Sequence, residues 1–286
     1  MKTKIVGIIN ITPDSFSDGG RYSNVSQAIE HLRQMLQDGA DIIDVGAEST
    51  RPNATAISCE EEWLRLEKIF PLISLEVEKY NRDIVAKDKS RQKSAVEISV
   101  DTRYASTAKR AYEVGAKIIN DVTGLQNQEM VEFIAKKNIR TIFMHSLSVP
   151  ANPDVIINKA LNVVQEIIKW AEEKILYLQQ NGIKKQQLVF DPGIGFSKDA
   201  EQSLRIIKNI EAFKILDLPI YVGHSKKSFL DILNIEGLRN DKESRSQKTL
   251  IISSYLARKN IDFIRVHDVL ANKSAVKRKD NLIMTL

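Results

Sequence analysis

Arg265 stands inside an apolar run, Asp262 to Val266, where a guanidinium must find an anion. At a strand's period of two, Phe263, Arg265 and His267 share one face while Ile264 and Val266 share the other, so the polar pair can meet a ligand and the apolar pair a core. Two kinds of anion suit Arg265. One is a neighbouring carboxylate such as Asp101; the other is an anionic ligand, and His267 alongside favours phosphate. Asp101, Asn120, Asp191 and Lys227 end four other apolar runs or closely follow them. Brought together, two carboxylates, an amide and an ammonium can read a flat heterocycle with an amidine-like N–H edge and a carbonyl. Each Asp accepts two N–H bonds side by side, while Asn and Lys donate to ring nitrogens and the carbonyl oxygen. Singly, each is only a polar loop residue. No His/Cys/carboxylate spacing suits a metal held by protein ligands alone.

The elements that must position these groups are short runs rich in Val and Ile. They are Lys4 to Ile9, Asp41 to Val45, Val96 to Val100, Lys117 to Ile119, Thr141 to Met144, Leu188 to Phe190, Pro219 to Val222 and Asp262 to Val266. Between them, Val25, Ala28, Ile29, Leu32, Met35 and Leu36 repeat at helical spacing, as do Ala160, Val163, Val164, Ile167, Ile168, Ala171 and Ile175. Asn24 with Gln27, and Ser58 with Glu61, read as capping boxes at helix starts. Gly39, Gly115, Asn138, Gly182 and Asn260 each stand shortly before a strand, and both residue types tolerate the left-handed conformation that closes a helix.

Eight strand-helix units in 286 residues, with no Gly/Pro-rich linker, predict one α/β domain over residues 1–286, a single (β/α)8 TIM barrel. The alternative is an open doubly wound sheet, against which the first strand leads into no G-x-G-x-x-G fingerprint. In a barrel the chemistry belongs at the C-terminal strand ends. Those ends carry Asn10, Glu48 with Thr50 and Arg51, Asp101, Asn120 with Asp121, His145, Asp191, Ser225 with Lys227, and His267 with Asp268. Glu48, Asp121 and Asp268 suit turns and caps as well as they suit catalysis.

A hydrophobic share of 43% supports a full core and excludes a disordered chain. The surplus of 42 basic over 37 acidic residues gives +5, but bases and acids are interleaved and no aromatic-basic nucleic-acid motif is present. The local excess at Arg82 to Ser94, five bases against two acids, reads as a solvated surface loop. No apolar run is long enough to span a bilayer, and the lone Cys59 agrees with a reducing compartment. The expectation is a cytoplasmic protein with no nucleic-acid or membrane partner.

In order along the chain, Ile9 to Gly20 (INITPDSFSDGG), Glu48-Ser49-Thr50-Arg51-Pro52, Ser99-Val100-Asp101-Thr102, Ile119-Asn120-Asp121-Val122, Met144-His145, Asp191-Pro192-Gly193-Ile194-Gly195-Phe196, Ser225-Lys226-Lys227-Ser228 and Arg265-Val266-His267-Asp268-Val269 resemble the dihydropteroate synthase family. The resemblance covers almost the whole chain. It implies a TIM-barrel transferase of folate biosynthesis, the target of sulfonamides, that joins 6-hydroxymethyl-7,8-dihydropterin diphosphate to 4-aminobenzoate with Mg2+ and pairs as a homodimer through its outer helices. By the same resemblance Asp101, Asn120, Asp191 and Lys227 read the pterin, with Met144 and Phe196 packing on its ring. Asn10 is implied as the Mg2+ ligand, Arg265 and His267 as diphosphate anchors, and Phe16, Thr50, Arg51, Pro52 and Ser225 as the aminobenzoate pocket. Asp18, on the first loop, is implied near the reacting carbon.

The chain departs from the family pattern at Lys226, where Arg is common, at Asn53 and Lys248, where Gly is usual, and in the insertion around residues 82–94. A pterin-binding barrel of a methyltransferase is the competing reading. It would share the Asp/Asn/Asp set but use a methylated folate, and the first loop, Thr50-Arg51-Pro52 and Arg265-Val266-His267 speak against it.

Overall fold

All eight apolar runs form strands, within two residues of the expected limits, in a computed structural model that describes residues 2–12, 21–49, 54–87, 94–152 and 154–277. They are β1 (Lys4–Asn10), β2 (Ile42–Gly46), β3 (Glu97–Asp101), β4 (Ile118–Asp121), β5 (Arg140–Met144), β6 (Leu188–Asp191), β7 (Tyr221–Val222) and β8 (Phe263–Val266). Every pairing is parallel, in the order β6-β5-β4-β3-β2-β1-β8-β7. A bridge from Phe190 to Ile220, with Phe190 N–H donating to Pro219 O at 2.9 Å, brings β7 back to β6 and closes the ring. The open-sheet alternative is thereby excluded.

The helices are α1 (Arg21–Asp38), α2 (Cys59–Leu66), α3 (Phe70–Lys87), α4 (Ala105–Glu113), α5 (Gln128–Lys137), α6 (Val163–Gln180), α7 (Ala200–Lys208), α8 (Arg245–Arg258) and α9 (Val269–Lys277). Their apolar stripes, such as Ala28, Leu32 and Met35 on α1 and Ile167, Ala171 and Leu178 on α6, pack against the outward strand residues in one continuous core. The five residues read as helix closers, Gly39, Gly115, Asn138, Gly182 and Asn260, all have positive φ.

Three boundaries differ from the sequence reading. Helix α1 is already under way at Arg21, so Asn24 lies within it rather than at its cap; burial periodicity marks where apolar contact begins, not where the backbone first turns. Helix α6 starts after Asn162, whose Oδ1 accepts from Val164 and Gln165 N–H, leaving Ala160 outside. The basic segment is not all loop, because α3 continues through residues 82–87, with Arg82 and Asp83 exposed. Ser58 does cap α2, accepting from Glu61 N–H at 3.1 Å.

The barrel interior positions the site. Val6, Ile42, Ile118, Ile142, Val189, Tyr221 and Phe263 form one buried layer, a cluster separate from the outer core. Two residues further along each strand the inward position moves toward the C-terminal mouth. There the residue types change.

Candidate active site at the barrel mouth

From the apolar plug, a step of two reaches Asp44, Asn120, Asp191 and Arg265 on β2, β4, β6 and β8, and a step of four from Val6 and Ile42 reaches Asn10 and Gly46. Gly46 is in register with Asp101, and Asp101 with Asn120. A Cβ on Gly46 would stand 3.2 Å from Asp101 Cβ, so the glycine leaves the Asp101 side chain room to lie over β2.

Arg265 faces inward, as the alternation predicts. Its Nε donates to Asp44 Oδ2 at 2.6 Å and its Nη2 to Asp101 Oδ2 at 2.7 Å. Of the two anions open to it, the structure shows the carboxylate, and shows two. Asn120 Nδ2 also donates to Asp44 Oδ2, at 3.1 Å, so Asp44 is a hub for two expected ligand-reading residues. Burial works to lower the Arg265 pKa, but the charges of Asp44 and Asp101 outweigh it and raise the pKa, so the guanidinium stays protonated. Burial raises Asp101 to about 7 against the pull of Arg265, with the charges of Asp44 and Glu62 adding to the rise. Glu62 is itself fully buried, accepts from Thr102 Oγ1 at 2.6 Å, and is pushed by burial to about 7.

Asp191 ends β6 opposite Met144, and its Oδ1 accepts from Gly193 N–H at 2.7 Å, closing a turn that runs to Phe196. Lys227 reaches across this turn: Nζ donates to the Ile194 carbonyl and lies 4.5 Å from the Phe196 ring centre. Burial lowers Lys227 to about 8, opposed by Asp191. Burial likewise raises Asp191, with the Gly193 N–H, Lys227, Lys198 and Arg265 acting to lower it. Asp101, Asn120, Asp191, Met144, Phe196, Lys227 and Arg265 thus line one mouth or the turn beside it.

His267 Nδ1 lies 3.0 Å from Ser225 Oγ, joining the ends of β7 and β8. Behind them the buried His224 Nε2 is 2.8 Å from Ser253 Oγ, which donates to Asn272 Oδ1 at 2.6 Å. This tethers the strand ends to α8 and α9. Lys226 N–H donates to Thr249 Oγ1 at 3.0 Å, and Lys248 is buried with Nζ on Asn240 Oδ1 at 2.8 Å. Both departures from the family pattern are therefore built into the wall behind the site.

Other strand-end groups serve structure. Asp121 Oδ1 accepts from Thr123 N–H and Oγ1 in a turn, and Asp268 Oδ1 accepts from Ala271 N–H in the first turn of α9. Glu48 takes both arms of Arg103, at 2.7 and 2.8 Å, and accepts from Ile57 N–H, closing the neck of the second loop. His145 turns outward by the same alternation that turns Arg265 inward. Its ring meets Trp170 edge-on at 4.8 Å and Nδ1 is 2.9 Å from Lys198 Nζ, and burial lowers it to about 2.

Phe16, Asp18, Thr50, Arg51 and Pro52, with the rest of Asp14 to Gly20, lie outside the described residues. Asp44 at the mouth and Lys198 behind it are residues that the sequence reading does not single out. A groove of about 420 Å³ on the outer wall, lined by Lys159, Asn162, Val163, Arg205, Asn209 and Ala212 among others, contains none of the mouth residues.

The profile of the family described as pterin binding enzyme matches residues 6–267. A dihydropteroate synthase of Clostridium beijerinckii is 36% identical over 284 residues, covering 99% of this chain and 95% of that protein. The crystal structure of dihydropteroate synthase from Anaplasma phagocytophilum with bound 6-hydroxymethylpterin-monophosphate is similar with a TM-score of 0.82 at 34% identity, covering 97% of this chain and 98% of that one. A structure of the Xanthomonas albilineans dihydropteroate synthase with 4-aminobenzoic acid has a TM-score of 0.81 at 29% identity, covering 96% of this chain and 91% of that one.

Proposed function

We infer the roles of the mouth residues from the premise that the chain belongs to the pterin-binding enzyme family, as one of its dihydropteroate synthases. It is a transferase that condenses 6-hydroxymethyl-7,8-dihydropterin diphosphate with 4-aminobenzoate to 7,8-dihydropteroate and pyrophosphate. The methyltransferase alternative is not favoured, because the relatives and similar structures named above are dihydropteroate synthases.

The observation that carries the assignment of roles is the change of the barrel interior from an apolar layer to Asp44, Asn120, Asp191 and Arg265 within one step of two residues. Asp101 and Asp191 accept the N–H edge of the pterin, Asn120 and Lys227 donate to its ring nitrogens and carbonyl, and Met144 and Phe196 pack on its faces. Asp101 is held by Arg265 Nη2. A pterin that takes Asp101 frees that Nη2 for the diphosphate, while Asp44 keeps Nε and so keeps the guanidinium aimed. Arg265 and His267 then neutralise charge that grows on the leaving group.

In the reaction the bond from the pterin's exocyclic methylene to the diphosphate oxygen breaks. The aryl nitrogen forms the new bond to that methylene and loses a proton, and pyrophosphate leaves. Two carboxylates around the ring keep it electron-rich, which favours a cation-like methylene. No strong base is then required of the chain. Phe16, Thr50, Arg51, Pro52 and Ser225 are the proposed aminobenzoate contacts and Asp18 a proposed neighbour of the reacting carbon; exclusion of water from the same methylene would protect the product.

Mg2+ also belongs to this reading. Among the described residues no three His, Cys, Asp or Glu side chains form a metal-holding group, while Asn10 ends β1 on the inward face beside Gly46. Such a donor set suits an ion held chiefly by substrate phosphates and water with one amide oxygen. When bound, the ion supplies further neutralisation of the diphosphate.

The test is pyrophosphate release. It should require pterin diphosphate, 4-aminobenzoate and Mg2+ together, and no product at saturating substrates would overturn the reading.

A further inference from the structure

Lys198 is a buried lysine that the reaction scheme above does not use. Its Nζ has three partners: the Phe196 carbonyl at 2.7 Å, His145 Nδ1 at 2.9 Å and the His145 carbonyl at 3.1 Å. The first belongs to the turn that follows Asp191 and the other two to the end of β5, directly after Met144. Two further contacts join the same segments. His145 N–H donates to Asp191 O at 3.0 Å, and Leu147 N–H donates to Ser197 Oγ at 2.9 Å.

The packing is shaped around this junction. A Cβ on Gly193, whose φ is +71°, would stand 2.1 Å from the His145 carbonyl oxygen and 3.2 Å from Lys198 Nζ. Only glycine lets the turn lie this close to β5. Lys227 grips the same turn from the mouth side, through Ile194. The turn is therefore held between two lysines, one facing the ligand and one facing the wall.

We propose that Lys198 is the positioning residue of the pterin slot, pinning the Asp191-to-Phe196 turn to the end of β5 so that Asp191, Phe196 and Met144 keep a fixed spacing across the ring. The proposal rests on the pterin reading given above. Burial lowers the pKa of Lys198. The clamp survives either protonation state. An ammonium donates to all three partners, and a neutral amine donates to the two carbonyls while accepting from a His145 Nδ1–H tautomer. Its contribution is therefore geometric, and the two walls it joins touch the pterin rather than the aminobenzoate.

Lys198→Met keeps the length of the side chain and removes all three bonds, and Lys198→Gln is the milder replacement that keeps a donor for the Phe196 carbonyl. Steady-state kinetics and a fluorescence titration with the pterin alone read the outcome, with thermal melting as the control for folding. The expected result is a KM for pterin diphosphate and a Kd for pterin raised about tenfold in Lys198→Met and less in Lys198→Gln, with the KM for 4-aminobenzoate moved less than about twofold. Equal changes for both substrates, or unchanged pterin binding in either variant that folds, overturn the clamp. A wild-type chain that binds no pterin overturns the functional reading and the clamp together; an active wild type with no substrate split overturns only the clamp.

Discussion

Arg265 is held at the mouth by two carboxylates, lying between Asp44 and Asp101 at 2.6 and 2.7 Å. Arg265→Ala removes the cation from two largely buried carboxylates, and breaking such a pair costs about 3–5 kcal/mol, which a lowered melting temperature should report. The same variant should raise the KM for pterin diphosphate far more than that for 4-aminobenzoate; equal effects in steady-state kinetics would argue against its anion role. Glu62 makes a separate prediction in pH. Its folded-state pKa, about 7, lies above the unfolded value, so the folded chain holds this proton more tightly. The penalty is absent below the unfolded pKa, grows as pH rises between the two values and is complete above about 7. Glu62→Gln should therefore be close to neutral at pH 4 and stabilising at pH 8, by an amount on the order of 3 kcal/mol, in denaturant titrations at the two pH values. A variant equally stabilised or destabilised at both would show that Glu62 carries no such burden.

The strands make the mouth by alternation, and alternation is what a sequence displays best. Once Ile264 and Val266 are taken as outward, Arg265 and His267 follow as inward; the structure places Arg265 so, and His267 beyond the strand end beside Ser225. Asp44 carries the same signal, a charge two residues beyond an inward Ile42, and is legible by the same rule. Lys198 is not legible that way, because it acts by folding back from a turn onto a neighbouring strand, which no local spacing encodes. Strand β7 has only two residues, paired with β8, and meets β6 through one bridge, a tertiary fact outside the reach of the run Pro219 to Val222. Helix starts were less legible than strands, since an exposed first turn such as that of α6 carries a cap but little apolar pattern. Gly46 yields a prediction at this scale. Its Cβ would press on Asp101 Cβ at 3.2 Å, closer than an ordinary van der Waals contact, while no positive φ adds backbone strain. Gly46→Ala should displace the Asp101 side chain by a few tenths of an ångström, which the Arg265 bond resists. Pterin affinity should fall about tenfold, with little change in melting temperature. Unchanged pterin affinity by fluorescence titration would mean that the Asp101 position tolerates the shift.

At the scale of the whole molecule, the surplus charge of +5 identifies no partner, since the cations given proposed roles, Arg265, Lys227 and Lys198, all lie in the barrel wall or mouth. The outer surface is more telling on its apolar side. Leu176 and Ile215 are 57% and 70% exposed, and they line one shallow groove of about 310 Å³ with Ile175 of α6 and Leu216. Glu172, Gln179 and Lys185 surround it, giving an apolar centre with a polar rim, the anatomy of a modest protein interface. A second copy turned by a two-fold axis would set this groove against itself. We propose on this ground a homodimer joined through α6 and its surroundings. Sedimentation velocity should give twice the chain mass at micromolar concentration, and Leu176→Glu with Ile215→Glu should halve it. The paired substitution lies on the outer wall, away from the mouth, so pterin binding should persist in the monomer. A wild-type monomer, or a dimer indifferent to both substitutions, would move the interface elsewhere or remove it.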